Sequence, residues 1–319
     1  MAVNLDKPAL WKADVAQSVD MYNDWFLRFA PVAFRETRVI ATRSVANSLG
    51  ITRNLRDIGP ATFRANPTIL PTLRMSTCPP LAVDRLVGLA GVSDSLVDNL
   101  EKHQRLPPKM AATAIDADLA KIGAIIRRMA DPDIFVWLAR GDDPTPEEAN
   151  RAATIIADRL CGAVANPIIR NAQEARQLAA IKTWLTARGY TEIPAGSRID
   201  FRRMAPGTFS FRLNVEVMAG GSKSVNIPVD AVVMPLTAVT GQLPVLIEAK
   251  SAGDFTNTNK RRKEEAVKMT QLKDAYGPSV CFVLFLCGYF DSGYLGYEAA
   301  EGIDWIWEHR IDDLAHLGL

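Results

Sequence analysis

Two apolar stretches that each end in charged residues constrain this chain more than any other feature. Residues 245–250 alternate with a period of two, so Glu248 and Lys250 share one face of a predicted β-strand. A second apolar alternation, residues 225–230, ends at Asp230. If these two strands pair, Asp230 lies beside Glu248. A carboxylate and an ammonium group are costly to bury at the end of an apolar strand, which indicates a functional centre.

The order of predicted elements around these strands favours an α+β fold with a mixed sheet. We expect a largely helical N-terminal region, in which Pro31 and Pro167 interrupt helices. Residues 288–319 are expected to form an aromatic loop and a short acidic helix around Trp305 and Trp307. Between them we predict a helix at 168–188, strands at 209–217, 225–234 and 243–250, a helix at 260–276 and a strand at 280–287. A hairpin turn at 220–222 would join the first two strands.

Composition places the chain among globular proteins. Its 319 residues are 48% hydrophobic and 23% charged, and no apolar run approaches the length of a membrane span. The first residues lack the basic and apolar regions of a signal peptide. The four cysteines show no CxxC spacing, which indicates reduced thiols in the cytoplasm rather than disulfides or zinc ligands.

The net charge of +1 gives no reason to expect a nucleic-acid partner, but the distribution of charge does. Residues 28–74 contain eight arginines against Glu36 and Asp57, and residues 291–319 contain seven acids against Arg310. A near-neutral total can therefore hide a basic face that meets phosphate groups. For any single one of these arginines, an ordinary solvated helix surface is the simpler explanation.

The pattern Asp…Glu-x-Lys suits metal-dependent hydrolysis of phosphodiesters. A divalent cation lowers the pKa of a bound water and neutralises charge that develops on the phosphate oxygens. Mg²⁺ prefers oxygen ligands, which Asp230, Glu248 and the backbone carbonyl of Ala249 would supply. Lys250 would hold the attacking water and stabilise negative charge. The alternative is a hairpin with a surface salt bridge of little energetic value.

These residues resemble the centre of the PD-(D/E)xK nuclease superfamily, although Val229 separates Pro228 from Asp230. The strings EAKSAGDFTNTNKRRKEE at 248–265 and LCGYFDSGYLGYEAAEGID at 286–304 resemble the XamI family of type II restriction endonucleases, as do residues 22–31 and 166–174. The resemblance implies an α/β/α restriction-endonuclease-like core and Mg²⁺-dependent cleavage of double-stranded DNA at a short specific site by a homodimer. By analogy, that site is a palindrome of the GTCGAC kind.

The resemblance also directs attention to residues outside the central triad. In the superfamily, the helix before the core often contributes a metal-site carboxylate, so Glu174 is a further catalytic candidate. A solvated surface glutamate is the equal alternative. Basic and amide side chains open the helix after the catalytic strand, where they could reach phosphates or base edges, or form a plain solvated charge run; they are Asn257, Asn259, Lys260, Arg261, Arg262 and Lys263.

The best linker candidate, residues 141–146, divides the chain into two predicted domains. Residues 1–143 would form a helical region that contacts DNA, a second subunit or both. Residues 144–319 would form the nuclease domain. Two other functions stay open from the sequence: a nuclease of the same fold in repair or recombination, and a DNA-binding module without catalysis.

Overall fold

The computed structural model of the protein describes residues 2–194, 199–219, 223–256 and 258–319, without the side chains of 218, 219, 223 and 259–262. The predicted turn at 220–222 and Asn257 lie outside the described residues. Short 3-10 helices occur at Pro67–Ile69, Phe201–Arg203 and Glu308–Leu317. The helices are α1 (Pro8–Ile51), α2 (Pro60–Ala65), α3 (Leu70–Met75), α4 (Val83–Ala90), α5 (Asp94–Lys102), α6 (Ala112–Met129), α7 (Trp137–Arg140), α8 (Pro146–Ala187), α9 (Thr258–Tyr276) and α10 (Ser292–Ala300). The strands are β1 (Thr191–Glu192), β2 (Thr208–Ala219), β3 (Lys223–Val233), β4 (Val245–Ala252), β5 (Cys281–Gly288) and β6 (Asp304–Trp307).

The strands form one mixed sheet in the order β1-β2-β3-β4-β5-β6. Strands β2, β3 and β4 are antiparallel neighbours, whereas β1 with β2, β4 with β5 and β5 with β6 pair in parallel. Helix α9 connects β4 to β5, and α10 connects β5 to β6, as parallel pairing requires. The fold is therefore α+β with a mixed sheet, as the element order predicted.

Alternation along the strands produces two apolar faces, and each is covered by helices. On β4, Leu246 belongs to the same hydrophobic cluster as Met269 and Leu272 of α9. The next residue, Ile247, belongs to the cluster that contains Ile181 of α8. Because successive strand residues point to opposite faces, the sheet is the middle of three layers. Charged residues at the end of β4 consequently lie close to helices on both sides.

Contacts divide the chain into two compact units. The first unit contains residues 1–29 and Arg170–Leu319, including the whole sheet, and the second contains Ala30–Ile169. Both boundaries fall inside long helices, α1 and α8. They do not coincide with the predicted domain boundary between residues 143 and 144, which falls inside the second unit; where the nuclease domain begins stays a prediction.

The N-terminal residues join the first unit through a buried aspartate on β6. The carboxylate of Asp304 accepts hydrogen bonds from the backbone amides of Asn4 at 2.9 Å and Leu5 at 3.1 Å. Trp11 adds an edge-on contact with Trp305, with ring centroids 5.4 Å apart. A single buried carboxylate thus satisfies consecutive backbone amides that would otherwise lack partners.

The second unit is helical and has its own core. Its large buried side chains include Phe63, Phe135 and Trp137. A capping box starts α8: the amide of Glu148 donates to Thr145 Oγ1 at 3.2 Å, and the amide of Thr145 donates to Glu148 Oε2 at 2.9 Å.

Two predicted helix interruptions are wrong, because α1 continues through Pro31 and α8 through Pro167. A proline inside a helix removes the hydrogen bond to the carbonyl four residues earlier. Those carbonyls belong to Leu27 and Ala163, which are exposed, so water can satisfy them. Both prolines lie within three residues of a boundary between the compact units.

The C-terminal prediction is corrected as well. Residues 304–307 form strand β6, not a helix, and pair in parallel with β5. Trp305 and Trp307 are fully buried on one face of the sheet, and Ile306 is buried on the other. Burial on both faces therefore outweighed the helical appearance of the acidic residues around them.

Within the described residues, α8 is the one helix whose length and mean hydropathy of 1.3 over 18 residues would suffice to cross a membrane. A core helix of a globular protein passes the same test. Helix α8 places Ile156, Leu160 and Ile181 in hydrophobic clusters, which accounts for its apolar residues.

Candidate active site

The pairing of β3 with β4 brings the two central carboxylates to neighbouring positions. The last pair of the β3–β4 ladder is Ala231 opposite Ile247. Asp230 precedes Ala231 and Glu248 follows Ile247, so both carboxylates lie just beyond this pair. Asp230 Oδ2 accepts a hydrogen bond of 2.8 Å from the backbone amide of Ala249. This bond fixes the orientation of the Asp230 carboxylate toward the end of β4.

The side chains of β2 and β3 switch between the two faces of the sheet at the same position along the strands. On β3, Val229 packs on the face that carries α9, whereas Ala231 packs on the opposite face. On β2, Phe211 and Leu213 change faces in the same way, and they pair with Ala231 and Val229. The residue between them, Arg212, has a φ of +53°, and Arg212 and Asp230 fall in a gap of the register between the two flanking pairs. A positive φ costs about 1–2 kcal/mol in a residue with a β-carbon. The strain is located where the sheet must turn Asp230 out of the regular alternation.

Four charged side chains from β4 and α9 form a compact cluster beside Asp230. Glu248 Oε1 accepts from Lys250 Nζ at 3.0 Å and from Lys268 Nζ at 2.6 Å. Lys250 Nζ also lies 3.3 Å from Glu265 Oε1. The side chains of Glu248 and Glu265 are 6% and 1% exposed, so these ion pairs are shielded from water. Removing one member would leave an uncompensated buried charge.

The electrostatic state of the cluster follows from burial and from neighbouring charge. Burial, and then the charge of Glu248, raise the pKa of Asp230 to about 6. Burial acts to lower the pKa of Lys250, but the carboxylates of Glu248 and Glu265 outweigh it and raise that pKa above the ordinary value. Burial raises the pKa of Glu265. Lys250 is therefore held as a cation, and ionised Asp230 is under electrostatic strain.

An open cavity of about 230 Å³ lies between α8 and the end of β4. Lys250 and Ala249 line it from the strand, and Glu174 lines it from the helix. The Glu174 carboxylate binds the guanidinium of Arg212 at 2.9 Å and contributes to the raised pKa of Asp230. The structure thus places Glu174 beside the cluster, half-exposed and held by an arginine.

Gln177 of α8 forms hydrogen bonds with two central strands, β4 and β5. Its side-chain nitrogen donates to the carbonyl of Lys250 at 3.2 Å and to that of Phe285 at 3.0 Å. The side chain is completely buried. Because β4 and β5 pair in parallel at these residues, one amide group fixes the position of both strands beside the cavity.

The predicted DNA-binding residues at the start of α9 are only partly described. Asn259, Lys260, Arg261 and Arg262 belong to the helix by their backbone, and their side chains are outside the description. Lys263 is exposed. Their role in DNA binding stays a prediction.

Four residues of the site were not identified from the sequence: Arg212, Gln177, Glu265 and Lys268. A signal for Gln177 was present, because Arg170, Gln173, Glu174 and Gln177 recur at helical spacing and form a polar stripe on α8. Arg212, Glu265 and Lys268 offered no comparable pattern. Their positions depend on how β2 pairs with β3 and on how α9 packs on the sheet beside β4.

The donor set fits a hard divalent cation such as Mg²⁺. Within residues 2–194, 199–219, 223–256 and 258–319, no three His, Cys, Asp or Glu side chains lie close enough to hold a metal ion by themselves. Glu248 Oε2, however, is buried and has no hydrogen-bond partner among the described residues. Together with the Asp230 carboxylate and a backbone carbonyl it offers oxygen ligands, and Mg²⁺ commonly completes its shell with water.

Comparison with known proteins identifies the family of this chain. The Type II restriction enzyme SalI of Streptomyces albus G is 54% identical over 316 residues, which cover 99% of each chain. The crystal structure of protein VC1899 from Vibrio cholerae matches 90% of this chain with 12% identity and a TM-score of 0.29, and the match covers 56% of that protein. A sequence profile described as XamI restriction endonuclease matches residues 53–307. The chain therefore belongs to the XamI restriction endonuclease family and is a type II restriction endonuclease.

Proposed function

We propose that this enzyme hydrolyses double-stranded DNA at a short specific site in a Mg²⁺-dependent reaction, and that its centre is of the PD-(D/E)xK type. The observation that carries the proposal is the juxtaposition of Asp230, Glu248 and Lys250 at the end of β3 and β4. An ordinary surface hairpin would not bury a carboxylate and an ammonium group in this way.

Asp230 and Glu248 would hold the metal, with the carbonyl of Ala249 as a third protein ligand. The raised pKa of Asp230 and the unpartnered oxygen of Glu248 support this assignment, because a cation would relieve both. When bound, the metal supplies charge neutralisation at the phosphate and a lower pKa for water.

Lys250 acts in this proposal as a fixed positive charge. Its raised pKa keeps the ammonium group protonated, so it suits electrostatic stabilisation of the phosphorane-like transition state and orientation of the attacking water. Glu265 holds that ammonium group from the α9 side. Gln177 fixes the backbone of the same residue.

Glu174 would complete the carboxylate set from α8. It lines the cavity with Lys250, and Arg212 holds it near Asp230. Asn257, together with Asn259 and the basic residues 260–263 of α9, would contact DNA next to the cleaved bond.

Cleavage of both strands at a palindrome, with GTCGAC as the analogous site, is most simply achieved by a homodimer, because a two-fold axis relates two identical centres. We place the nuclease domain in residues 144–319 and assign DNA or subunit contacts to the helical residues 1–143. The substrate would be double-stranded DNA in the cytoplasm.

Cleavage of a large DNA with known sequence tests the proposal. Discrete bands are expected from wild type with Mg²⁺, and a smear would instead indicate a non-specific nuclease. Asp230→Ala should bind the DNA and fail to cleave it, while Asp274→Ala, an exposed change on α9, should cleave as wild type does. Undiminished cleavage by Asp230→Ala would remove Asp230 from the site.

A further inference from the structure

Lys268 is the one residue of the charged cluster that the proposed reaction does not use. It belongs to α9, and its ammonium group lies 2.6 Å from Glu248 Oε1, closer than the 3.0 Å of Lys250. It also lies 3.4 Å from the carbonyl of Pro228, two residues before Asp230. Lys268 therefore contacts both strands that would supply the metal ligands.

The two lysines that contact Glu248 differ in how firmly the surrounding residues hold them. The Lys268 side chain is 22% exposed, whereas Glu248 is 6% exposed and Lys250 is 18% exposed and held additionally by Glu265. A long, flexible side chain at the edge of the cluster can withdraw into solvent at little cost. Glu248 cannot follow it, because β4 pairs with β5 at this residue and the next amide, that of Ala249, donates to Asp230.

A metal ligated by Glu248 would meet two ammonium groups on one carboxylate. Glu248 Oε1 contacts the ammonium groups of both lysines, and Glu248 Oε2 is buried without a hydrogen-bond partner in the described part of the chain. A dication within ligand distance of Glu248 would repel an ammonium group 2.6 Å from the same carboxylate, since like charges in a shielded site interact strongly. Lys250 is retained by Glu265, so Lys268 is the group that must yield.

We infer that Lys268 competes with the divalent cation for Glu248 and thereby sets the metal affinity of the active site. This inference rests on the proposed metal site at Asp230 and Glu248. An internal cation keeps the carboxylates neutralised and ordered, and it weakens metal binding by the free energy needed to displace it. The residue thus acts on metal loading rather than on the chemical step.

The test measures Ca²⁺ binding to the full chain without DNA, by titration calorimetry and by the rise of Tm with Ca²⁺ concentration. Lys268→Met should bind Ca²⁺ about tenfold more tightly than wild type. Lys268→Arg keeps the charge and should remain within about twofold of wild type. Lys273→Met removes one positive charge from the same helix, more than one turn away, and should also remain within about twofold. Lys268→Gln provides a second neutral variant if Lys268→Met does not fold.

The outcomes separate this inference from the proposed function. Equal gains in Lys268→Met and Lys273→Met would show a general charge effect and overturn the inference, as would unchanged affinity in both neutral variants of Lys268. If Glu248→Gln abolishes Ca²⁺ binding while Lys268→Met leaves it unchanged, the result supports the metal site and refutes the role of Lys268. Absence of saturable binding by wild type up to about 10 mM would overturn both.

Discussion

Replacing Asp230 with asparagine should stabilise the protein while it destroys the metal site. The two side chains have the same shape, and asparagine keeps an oxygen that can accept the hydrogen bond from the Ala249 amide. What the substitution removes is a negative charge that is partly buried beside Glu248. The prediction therefore separates the electrostatic cost of the site from its packing.

The magnitude follows from the pKa of Asp230, which rises from 3.8 to about 6. Each tenfold change in proton affinity corresponds to about 1.4 kcal/mol, so ionised Asp230 costs the folded protein up to about 3 kcal/mol. Asp230 is half-buried rather than fully buried, and solvent screening reduces the expected gain in the free energy of unfolding to about 1–2 kcal/mol. This corresponds to a rise in Tm of about 3 °C.

The sign of the pH dependence is fixed by the same shift. The folded protein binds this proton more tightly than the unfolded chain does. The destabilisation caused by ionised Asp230 is therefore absent below pH 3.8, grows between pH 3.8 and about 6, and then stays constant. The advantage of Asp230→Asn should therefore be smaller at pH 5 than at pH 8, and constant above about pH 7.

Thermal melts in a chelator at pH 5, 6, 7 and 8 provide the assay, with the exposed Asp274→Asn on α9 as the isosteric control. The control should change the free energy of unfolding by less than about 0.5 kcal/mol at any pH. An Asp230→Asn protein that is less stable than wild type at pH 8 would refute the argument that this carboxylate is held under electrostatic strain.

Substitutions at two further positions, Arg212 and Gln177, test how the site is supported. Arg212→Gly and Arg212→Ala both remove the ion pair with Glu174, but only glycine accepts the φ of +53° without cost, so the glycine variant should be more stable by about 1 kcal/mol in urea denaturation; equal stability would show that this backbone is unstrained. Gln177→Ala should lose about 1–3 kcal/mol because the carbonyls of Lys250 and Phe285 lose a buried donor, and Gln173→Ala, on the half-buried surface of the same helix, should lose less; similar losses would argue against the special role of Gln177.

The juxtaposition of Asp230, Glu248 and Lys250 could be predicted from the sequence because these residues lie close together along two strands that pair. The period-two alternation that leads to Asp230 and to Glu248 predicts both strands, and the observed pairing of β3 with β4 agrees with it. The mixed order of strands and helices was predictable for the same reason. The relative positions of residues on two paired strands can be predicted without knowledge of the remaining packing. The change of faces between Val229 and Ala231 was not predictable from that alternation.

The parts that the sequence did not predict depend on contacts between distant elements. Lys268 reaches Glu248 only because α9 packs against the face that carries Leu246, and Gln177 reaches two strands only because α8 covers the other face. Strand β6 has four residues, too few for an alternation to outweigh the acidic residues around it. The prolines in α1 and α8 were misleading because the affected carbonyls are exposed to water.

The central claim is that Asp230, Glu248 and Lys250 form the centre that cleaves DNA, and Lys250→Met tests it most directly. We expect its single-turnover cleavage rate on a specific duplex with Mg²⁺ to fall by at least about a thousandfold, because the transition state loses a fixed positive charge. Its affinity for the same duplex, measured with Ca²⁺, should change by less than about threefold, since one phosphate contact contributes little to a large interface. A cleavage rate within about tenfold of wild type, with binding intact, would contradict the account.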